Sequence, residues 1–528
     1  MDAVPGAFGA NAGSSRAAFA AYLHPQVAAL LFLGFSAGLP LLLIFATLSL
    51  WLVEAGVERA AVTYFSWAAL GYSFKFVWAP LVDKLPLPML TKRLGQRRSW
   101  MLVAQLAVMA AIALMAFTDP AAPAGLTLMA FAAVALGFSS ATQDIVVDAY
   151  RIEAVDVSMQ ALLSSSYIAG YRCGMLVAGA VALYLAAGFG STAESYSYEA
   201  WRLTYLCMAA AMVVGVVTTL VVREPVRRQP SSYLHGAPDY ARFLLLFVLV
   251  VGSFVVAFLG LGGVADAAAN WLSEAGVPGD LPGFLCQAAR LLGAIAIGVL
   301  LARACVASGV VQRDMVQDTY IAPVTDFFAR YGRAAIAVLL LVGFYRVSDI
   351  VLGVIANVFY YDVGYSKETI ATATKVFGLW MTLLGGFLGG WLAIRFGVMR
   401  VLMLGAVLAA ATNLLFVALA MSPGNLPLLY GVIAADNLTA GLASAAFVAY
   451  LSSLTSISFT AVQYAIFSSL MTLFPKLLGG YTGGIVDAWG YPAFFVGTAV
   501  IGIPVLVLVA WVMHRAPPQI EGENPANA

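Results

Sequence analysis

Residues 32–51 read FLGFSAGLPLLLIFATLSLW, twenty consecutive residues without a charged side chain. A helix of that length spans about 30 Å, the thickness of the hydrocarbon core of a bilayer. The same character runs through the chain, in which 62% of the 528 residues are hydrophobic and 10% are charged. Ordinary soluble domains have about 25% charged residues. The sequence therefore predicts an all-α polytopic membrane protein and argues against a soluble enzyme.

Apolar runs of similar length recur along the chain and predict fourteen membrane spans. They lie at 26–52, 62–83, 99–117, 124–148, 160–188, 201–222, 243–262, 283–303, 334–359, 370–393, 400–420, 427–451, 460–482 and 491–513. Most of the 27 lysines and arginines fall in alternate loops. Because cytoplasmic loops carry an excess of these residues, both termini are expected to be cytoplasmic. The basic loops at 223–242 and 303–333 can both be cytoplasmic only if an even number of spans separates them.

This layout predicts two six-helix halves with two extra helices between them. The expected regions are a cytoplasmic tail (1–25), an N-terminal six-helix bundle (26–225), a linker with two additional transmembrane helices (226–325), a C-terminal six-helix bundle (326–515) and a second cytoplasmic tail (516–528). Repeated halves with a substrate site between them, near the middle of the bilayer, are common in secondary transporters. The expected function is solute transport.

Several other functions are disfavoured by what the sequence lacks. The net charge of +1 argues against a nucleic-acid partner. The four cysteines show no CxxC spacing, and the three histidines lie in tails or loops, so neither a metal site nor a histidine-based catalytic centre is expected. No Walker-type phosphate-binding motif occurs, which disfavours ATP as the energy source. We expect no catalytic residues and no cofactor.

Ionisable residues inside the predicted spans are the candidate functional residues, because a charge at the bilayer centre is costly and usually faces a bundle interior. In ATQDIVVDAYRIE, residues 141–153, Asp144, Asp148 and Arg151 share one helix face, with Gln143 beside it. Two interpretations stay open. The carboxylates form a structural ion pair with Lys75 or Arg172, or one of them exchanges a proton during transport.

The later half carries a comparable polar stripe. Arg346, Asp349 and Asn357 lie at i, i+3 and i+11 on one face of its first predicted span. This stripe lines a cavity or forms a structural network between helices. Asp436 and Asn437, in the fourth span of that half, occupy a place roughly equivalent to that of Gln143 and Asp144 in the first half.

The loop after the second span, LVDKLPLPMLTKRLGQRRS, is similar to the loop signature of the major facilitator superfamily, G-x-x-x-D-[RK]-x-G-R-[RK]. Asp83, Lys84, Gly95, Arg97 and Arg98 occupy the matching places. Ten residues separate Lys84 from Gly95, where the family pattern has about one, so the match is imperfect. The resemblance implies a gating role for Asp83, Arg97 and Arg98, and the alternative is a basic anchor on the cytoplasmic side.

Five longer strings resemble the AmpG-type muropeptide permeases, a family of the same superfamily that is related to acetyl-coenzyme A transporters. They are FLGFSAGLPLLLIFATLSLW from Phe32, KFVWAPLVDK from Lys75, SSATQDIVVDAYRIE from Ser139, GYRCGMLVAGAVALYLA from Gly170 and FSSLMTLFPKLLGGYTGGIVDAWGYPAFF from Phe467. The resemblance implies a major facilitator fold. It also implies an inner-membrane importer of N-acetylglucosaminyl-1,6-anhydro-N-acetylmuramyl peptides for peptidoglycan recycling, driven by the proton gradient, with an indirect role in β-lactamase induction.

On this basis the candidate residues fall into three groups. Substrate binding is assigned to Lys75, Gln143, Arg172, Arg346, Asn357, Asp436 and Asn437, proton coupling to Asp144, Asp148 and Asp349, and gating to Asp83, Arg97, Arg98 and Arg151. The expected partners are a sugar-peptide substrate and the lipid bilayer, and the protein is expected to be a monomer. Transport of another substrate, such as an acyl-coenzyme A or a small peptide, and a transport-inactive sensor are the alternatives.

Overall fold

The computed structural model describes residues 24–57, 72, 74–155, 159–191, 195–225, 237–276, 281–479 and 482–515. Within the described helices, the side chains at 237, 281, 284, 354, 357, 367, 368, 473–479, 483 and 484 are not described. The elements found in these parts of the chain are all helical, as the composition predicts.

The helices follow one another with short connections. In the first part of the chain they are α1 (Pro25–Ile44), α2 (Ala46–Glu54), α3 (Ala79–Lys84), α4 (Leu90–Leu94), α5 (Gln96–Ala116), α6 (Gly125–Glu153), α7 (Gln160–Leu176), α8 (Ala182–Gly188), α9 (Tyr198–Ala211) and α10 (Val213–Val221). In the middle they are α11 (Ala237–Gly260), α12 (Gly262–Glu274), α13 (Leu281–Ala307), α14 (Arg313–Val316) and α15 (Ala322–Tyr331). In the last part they are α16 (Ala335–Phe344), α17 (Val347–Asp362), α18 (Lys367–Ala371), α19 (Gly378–Phe396), α20 (Val398–Ala420), α21 (Leu426–Leu454), α22 (Thr460–Gly479) and α23 (Thr482–Arg515).

Twelve helical runs in the described part of the chain are long and apolar enough to cross a membrane. Each of them overlaps one of the predicted spans. Half of the predicted span 62–83 lies outside the described residues. In the predicted span 460–482 the described apolar stretch is the shorter Ile457–Thr472. The polytopic membrane fold is therefore confirmed, and the count of fourteen spans stays a prediction.

The chain divides into two compact units. One comprises residues 1–75, 86–226 and 336–528, and the other comprises residues 76–85 and 227–335. In the first unit, α7 packs against α19 and α21, and α6 packs against α22, so helices from early and late in the chain meet directly. In the second unit, α11 packs along α13, and α3 contacts the π-helical segment Gln317–Ile321.

Glycines set the distance between the most closely packed helices of the first unit. A Cβ atom on Gly170 of α7 would lie 1.9 Å from the carbonyl oxygen of Leu31 in α1, and one on Gly38 would lie 2.0 Å from that of Tyr171. A Cβ atom on Gly385 of α19 would lie 2.0 Å from a carbonyl oxygen of α21. Small residues at helix crossings let backbones approach within the bilayer, where packing contributes much of the association energy.

Aromatic side chains pack into two clusters, one among the early helices and one among the late helices. Trp51 of α2 stacks on Trp201 of α9 with ring centroids 5.5 Å apart. The indole of Trp201 donates a 2.8 Å hydrogen bond to Glu54, so this carboxylate has a partner at the end of α2. In the later helices, Phe359 packs edge-on against Phe495 at 4.8 Å. The candidate functional site is instead formed by polar side chains of α6, α7 and α17.

Candidate functional site

A buried carboxylate is shared by two cations in the first unit. Asp148 of α6 is 6% exposed. One of its oxygens is 3.7 Å from Lys75 Nζ, and the other is 3.4 Å from Arg151 Nη2. Of the two sequence interpretations of its partner, Lys75 is therefore correct. With the buried Asp144 one turn earlier, two positive and two negative charges balance in this cluster, which lowers the cost of burying them.

Asp144 has fewer hydrogen-bond and ion-pair partners than Asp148 among the described residues. Its Oδ1 atom is buried and has no hydrogen-bond partner among the described residues. Lys75 attracts its charge and Asp148 repels it. One turn earlier on α6, Ser140 accepts a 2.7 Å hydrogen bond from the hydroxyl of Tyr72. Asp144 therefore stays a candidate for proton coupling, as the sequence predicts.

Gln143 has a packing role in the structure. Its side chain is fully buried and donates a 3.2 Å hydrogen bond to Ser36 of α1. It faces the contact between α6 and α1 and is turned away from solvent. The structure therefore does not bring Gln143 together with the charged cluster, although it is adjacent to Asp144 in sequence.

Arg151 connects helices from the two halves of the chain. Its side chain is 0% exposed. Its Nη1 atom donates hydrogen bonds to Ser164 of α7 at 2.9 Å and to Ser452 of α21 at 2.8 Å. Its guanidinium lies 5.1 Å from the ring centre of Tyr464 in α22. The contacts to α21 and α22 mean that the halves cannot separate at this end without breaking them.

Arg172 and Arg346 supply positive charge from opposite halves. Arg172 of α7 is exposed to solvent and forms no ion pair among the described residues. It is close enough to Arg346 for the two charges to repel each other. Arg346 donates a 2.8 Å hydrogen bond to Ser444 of α21 and pairs with Asp349 at 3.5 Å. Asp349 therefore pairs with Arg346 and not with Arg172, and the guanidinium of Arg172 suits an anionic ligand.

The predicted span 334–359 is interrupted at this point. Helix α16 ends at Phe344 and α17 begins at Val347, so Arg346 lies in the break and Asp349 lies in the first turn of α17. A carboxylate is stabilised at a helix N-terminus by the unpaired backbone N–H groups there. Broken helices with their ends turned toward a cavity form the substrate sites of many transporters. Asn357 lies outside the described side chains.

The adjacent candidate residues Asp436 and Asn437 of α21 have different environments. Asn437 donates to the backbone of Ile433 and accepts a 3.0 Å hydrogen bond from Thr382 of α19, so it holds two helices together. Asp436 is half-buried, and its charge interacts with those of Asp349 and Arg346. Of this pair, Asp436 lies with the charged residues of α17, and Asn437 belongs to the packing between helices.

The basic loop before α5 is held by two glutamates that sequence reasoning missed. Arg97 donates through Nε to Glu153 at the end of α6, at 2.9 Å. Glu224 accepts hydrogen bonds from the backbone N–H groups of Arg97 and Arg98, at 2.8 and 3.0 Å, and thereby caps α5. A buried arginine and an uncapped helix start both favour an acidic partner, but this rule does not indicate which glutamate in the sequence supplies it.

Two further features of this loop matter for the gating prediction. Gly95, at φ +90°, precedes α5, and a Cβ atom there would lie 2.3 Å from the Glu224 side chain, so the matched glycine is sterically required. Asp83 is buried in α3, which belongs to the second unit. Arg97 and Arg98 belong to the first unit.

Comparisons with known proteins identify the family. Residues 26–221 match the Acetyl-coenzyme A transporter 1 family, and residues 337–528 match the Major Facilitator Superfamily. A putative transporter AmpG 4 of Rickettsia conorii is 30% identical over 480 residues, which cover 91% of this chain and 94% of that protein. The anhydromuropeptide permease of Escherichia coli is 27% identical over 489 residues, covering 92% of this chain and 80% of the permease.

Solved structures show the same fold. The proton:xylose symporter XylE superimposes with a TM-score of 0.56 at 13% identity, over 95% of this chain and 96% of that one. The Escherichia coli fucose:proton symporter FucP gives a TM-score of 0.57 at 12% identity, over 92% and 97%. At these identities the likeness supports the fold alone. Together with the long sequence matches, it establishes that this chain is a membrane transporter of the AmpG family within the major facilitator superfamily.

Proposed function

We propose that this protein is a proton-coupled importer of anhydromuropeptides. The observation that carries the proposal is the approach of two arginines from opposite halves: Arg346, which pairs with Asp349, and Arg172, which repels Arg346 and forms no ion pair among the described residues. The peptide part of a muropeptide carries carboxylates, and a guanidinium binds a carboxylate through two parallel hydrogen bonds. A relative named for anhydromuropeptide transport supports this substrate class.

The proposed proton site is the cluster on α6. Asp148 pairs with both Lys75 and Arg151, and Asp144 lies within the field of the same lysine. Protonation of one carboxyl group would remove a negative charge and leave a cation without its partner. Because Arg151 also holds Ser452 and Tyr464 of the other half, a change of charge at Asp148 alters the contacts between the halves. Asp349 is the corresponding candidate on α17.

The proposed cycle uses these contacts as a gate. Arg151 holds the two halves together at one end while the arginine pair binds substrate, and the Arg97 and Glu153 pair supports the same end of α6. Loss of the bridge opens that end. In this proposal both termini are cytoplasmic, the protein lies in the inner membrane of the cell, and the imported muropeptides serve peptidoglycan recycling and act indirectly on β-lactamase induction.

The test is uptake of labelled anhydromuropeptide into cells that lack their own permease, with and without a protonophore. Wild-type protein is expected to accumulate the label, and the protonophore is expected to abolish accumulation. Arg172→Gln should weaken uptake, whereas Arg202→Gln, which changes an exposed arginine paired with Glu199, should not. No uptake by correctly inserted wild-type protein would contradict the substrate. Uptake that survives the protonophore would contradict the coupling.

Transport of an acyl-coenzyme A is the second candidate, because residues 26–221 match the Acetyl-coenzyme A transporter 1 family. The phosphates of coenzyme A would suit the same two arginines. Competition separates the candidates. If unlabelled acetyl-coenzyme A displaces labelled muropeptide and is itself accumulated, the second candidate is favoured, and if it has no effect, the first one stands.

A further inference from the structure

The second unit contains a cavity of about 400 Å³ whose lining shares no residue with the charged site. It is bounded by α11, α13 and the π-helical segment Gln317–Ile321. The 3₁₀-helical residues Phe76 and Val77, before α3, complete the wall. Its volume lies within the range of roughly 300–1,000 Å³ that is typical of ligand pockets. Nothing in the transport mechanism uses this space.

The lining of the cavity is almost entirely apolar. Val250 and Phe254 of α11 face Ile295 and Val299 of α13 across it. In a protein surrounded by water, such a surface would be covered by another part of the chain. Here α11 and α13 belong to helical runs that are apolar enough to cross a membrane. Because lipid acyl chains surround such helices, an acyl chain is the expected occupant of the cavity.

Two polar groups on the cavity wall have no protein partner. The guanidinium of Arg303, at the end of α13, and the hydroxyl of Tyr320 form no hydrogen bond or ion pair within the described part of the chain. No acidic residue lines the cavity. An arginine and a phenol beside an apolar space match the phosphate and the acyl chain of a phospholipid.

The packing beneath the cavity fixes this arrangement. Phe243 and Leu246 of α11 are buried against Ala302 and Cys305 of α13 and against Met315 of α14. This cluster holds the end of α13 and the start of the π-helical segment in place. A π-helical turn is rare and is often found at functional sites. Tyr320 lies on this turn.

We propose that the cavity binds one acyl chain of an anionic phospholipid, with the phosphate held by Arg303 and Tyr320. The inserted helices α11 and α13 are then a lipid-binding element of the transporter. The proposal does not depend on the identity of the transported substrate. It rests on the apolar lining, the unpartnered arginine and hydroxyl, and the absence of acidic lining residues among those the structure describes.

Native mass spectrometry of the purified full-length protein tests it, with phosphatidylglycerol and phosphatidylcholine as the probes. Wild-type protein is expected to retain one phosphatidylglycerol and to bind phosphatidylcholine more weakly. Arg303→Gln should weaken phosphatidylglycerol binding about fivefold, the effect of one basic residue at a charged membrane surface. Arg313→Gln, which changes an arginine outside the cavity, is the matched control.

A second pair of variants tests the acyl-chain site by volume. Val299→Trp places a large ring in the cavity and should abolish retention of the lipid, whereas Leu300→Trp changes an exposed neighbour that does not line the cavity and should not. Equal retention of both lipids, or unchanged binding in Val299→Trp and Arg303→Gln, would overturn the proposal. Size-exclusion profiles identify any variant that fails to fold, and Arg303→Gln decides the question if Val299→Trp does not fold.

Discussion

Removing the hydroxyl of Ser452 is expected to loosen the bridge between the halves. Arg151 Nη1 donates to this hydroxyl at 2.8 Å and keeps Ser164 as its other partner. A hydrogen bond to a charged group contributes about 1.5–3 kcal/mol. Ser452→Ala should therefore shift the equilibrium toward the state in which this end is open by roughly 10- to 150-fold, since each 1.4 kcal/mol is a factor of ten.

Ser453→Ala is the matched control, because the adjacent hydroxyl donates only to the backbone of Tyr450, among the contacts that the structure describes. The readout is the distance distribution between spin labels at Met159, before α7, and Ile457, before α22, in protein without its four cysteines. Ser452→Ala should enlarge the long-distance population. Identical distributions in the two serine variants would refute the assignment of Arg151 as a bridge.

The remaining predictions concern the coupling site and the fold. Asp148→Asn should abolish substrate accumulation while folded protein remains in the membrane, and retained accumulation would remove Asp148 from the mechanism. Gly170→Ala should reduce the yield of folded protein, because its Cβ would lie 1.9 Å from a carbonyl oxygen of α1. Gly188→Ala is the control, because open space surrounds that position. Equal yields of the two variants would argue against a close helix crossing at Gly170. Glu224→Gln should destabilise the protein by about 1 kcal/mol, because it weakens the cap of α5. The measurement is the thermal unfolding midpoint, which should be lower in the variant. An unchanged midpoint would contradict the cap.

Sequence patterns predicted the membrane class and the residues of the charged cluster for a physical reason. A span of about 20 apolar residues and the cost of a buried charge are local properties of the chain. The spacing of Asp144, Asp148 and Arg151 placed them on one helix face, and the structure has all three buried there. The partner of Asp148 stayed open between Lys75 and Arg172, because pairing between helices depends on how they pack.

Spacing did not distinguish polar residues that face the site from those that face a neighbouring helix. Gln143 is adjacent to Asp144, and Asn437 is adjacent to Asp436, yet each amide holds two helices together. Adjacent residues on a helix point about 100° apart, so one can face the charged cluster while the next faces a packed helix. Which of the two does so depends on the neighbours that folding provides.

The sequence by itself determined that this chain is a polytopic α-helical transporter, because hydrophobic length and charge distribution fix membrane spans without reference to the rest of the fold. Tertiary structure alone decided the break in the span at Arg346, the capping of α5 by Glu224 and the bridge from Arg151 to Ser452. Arg151 and Ser452 lie 301 residues apart in sequence. Their contact exists because α6, α7, α21 and α22 pack around one buried guanidinium, whose charge is costly to bury without hydrogen-bond partners.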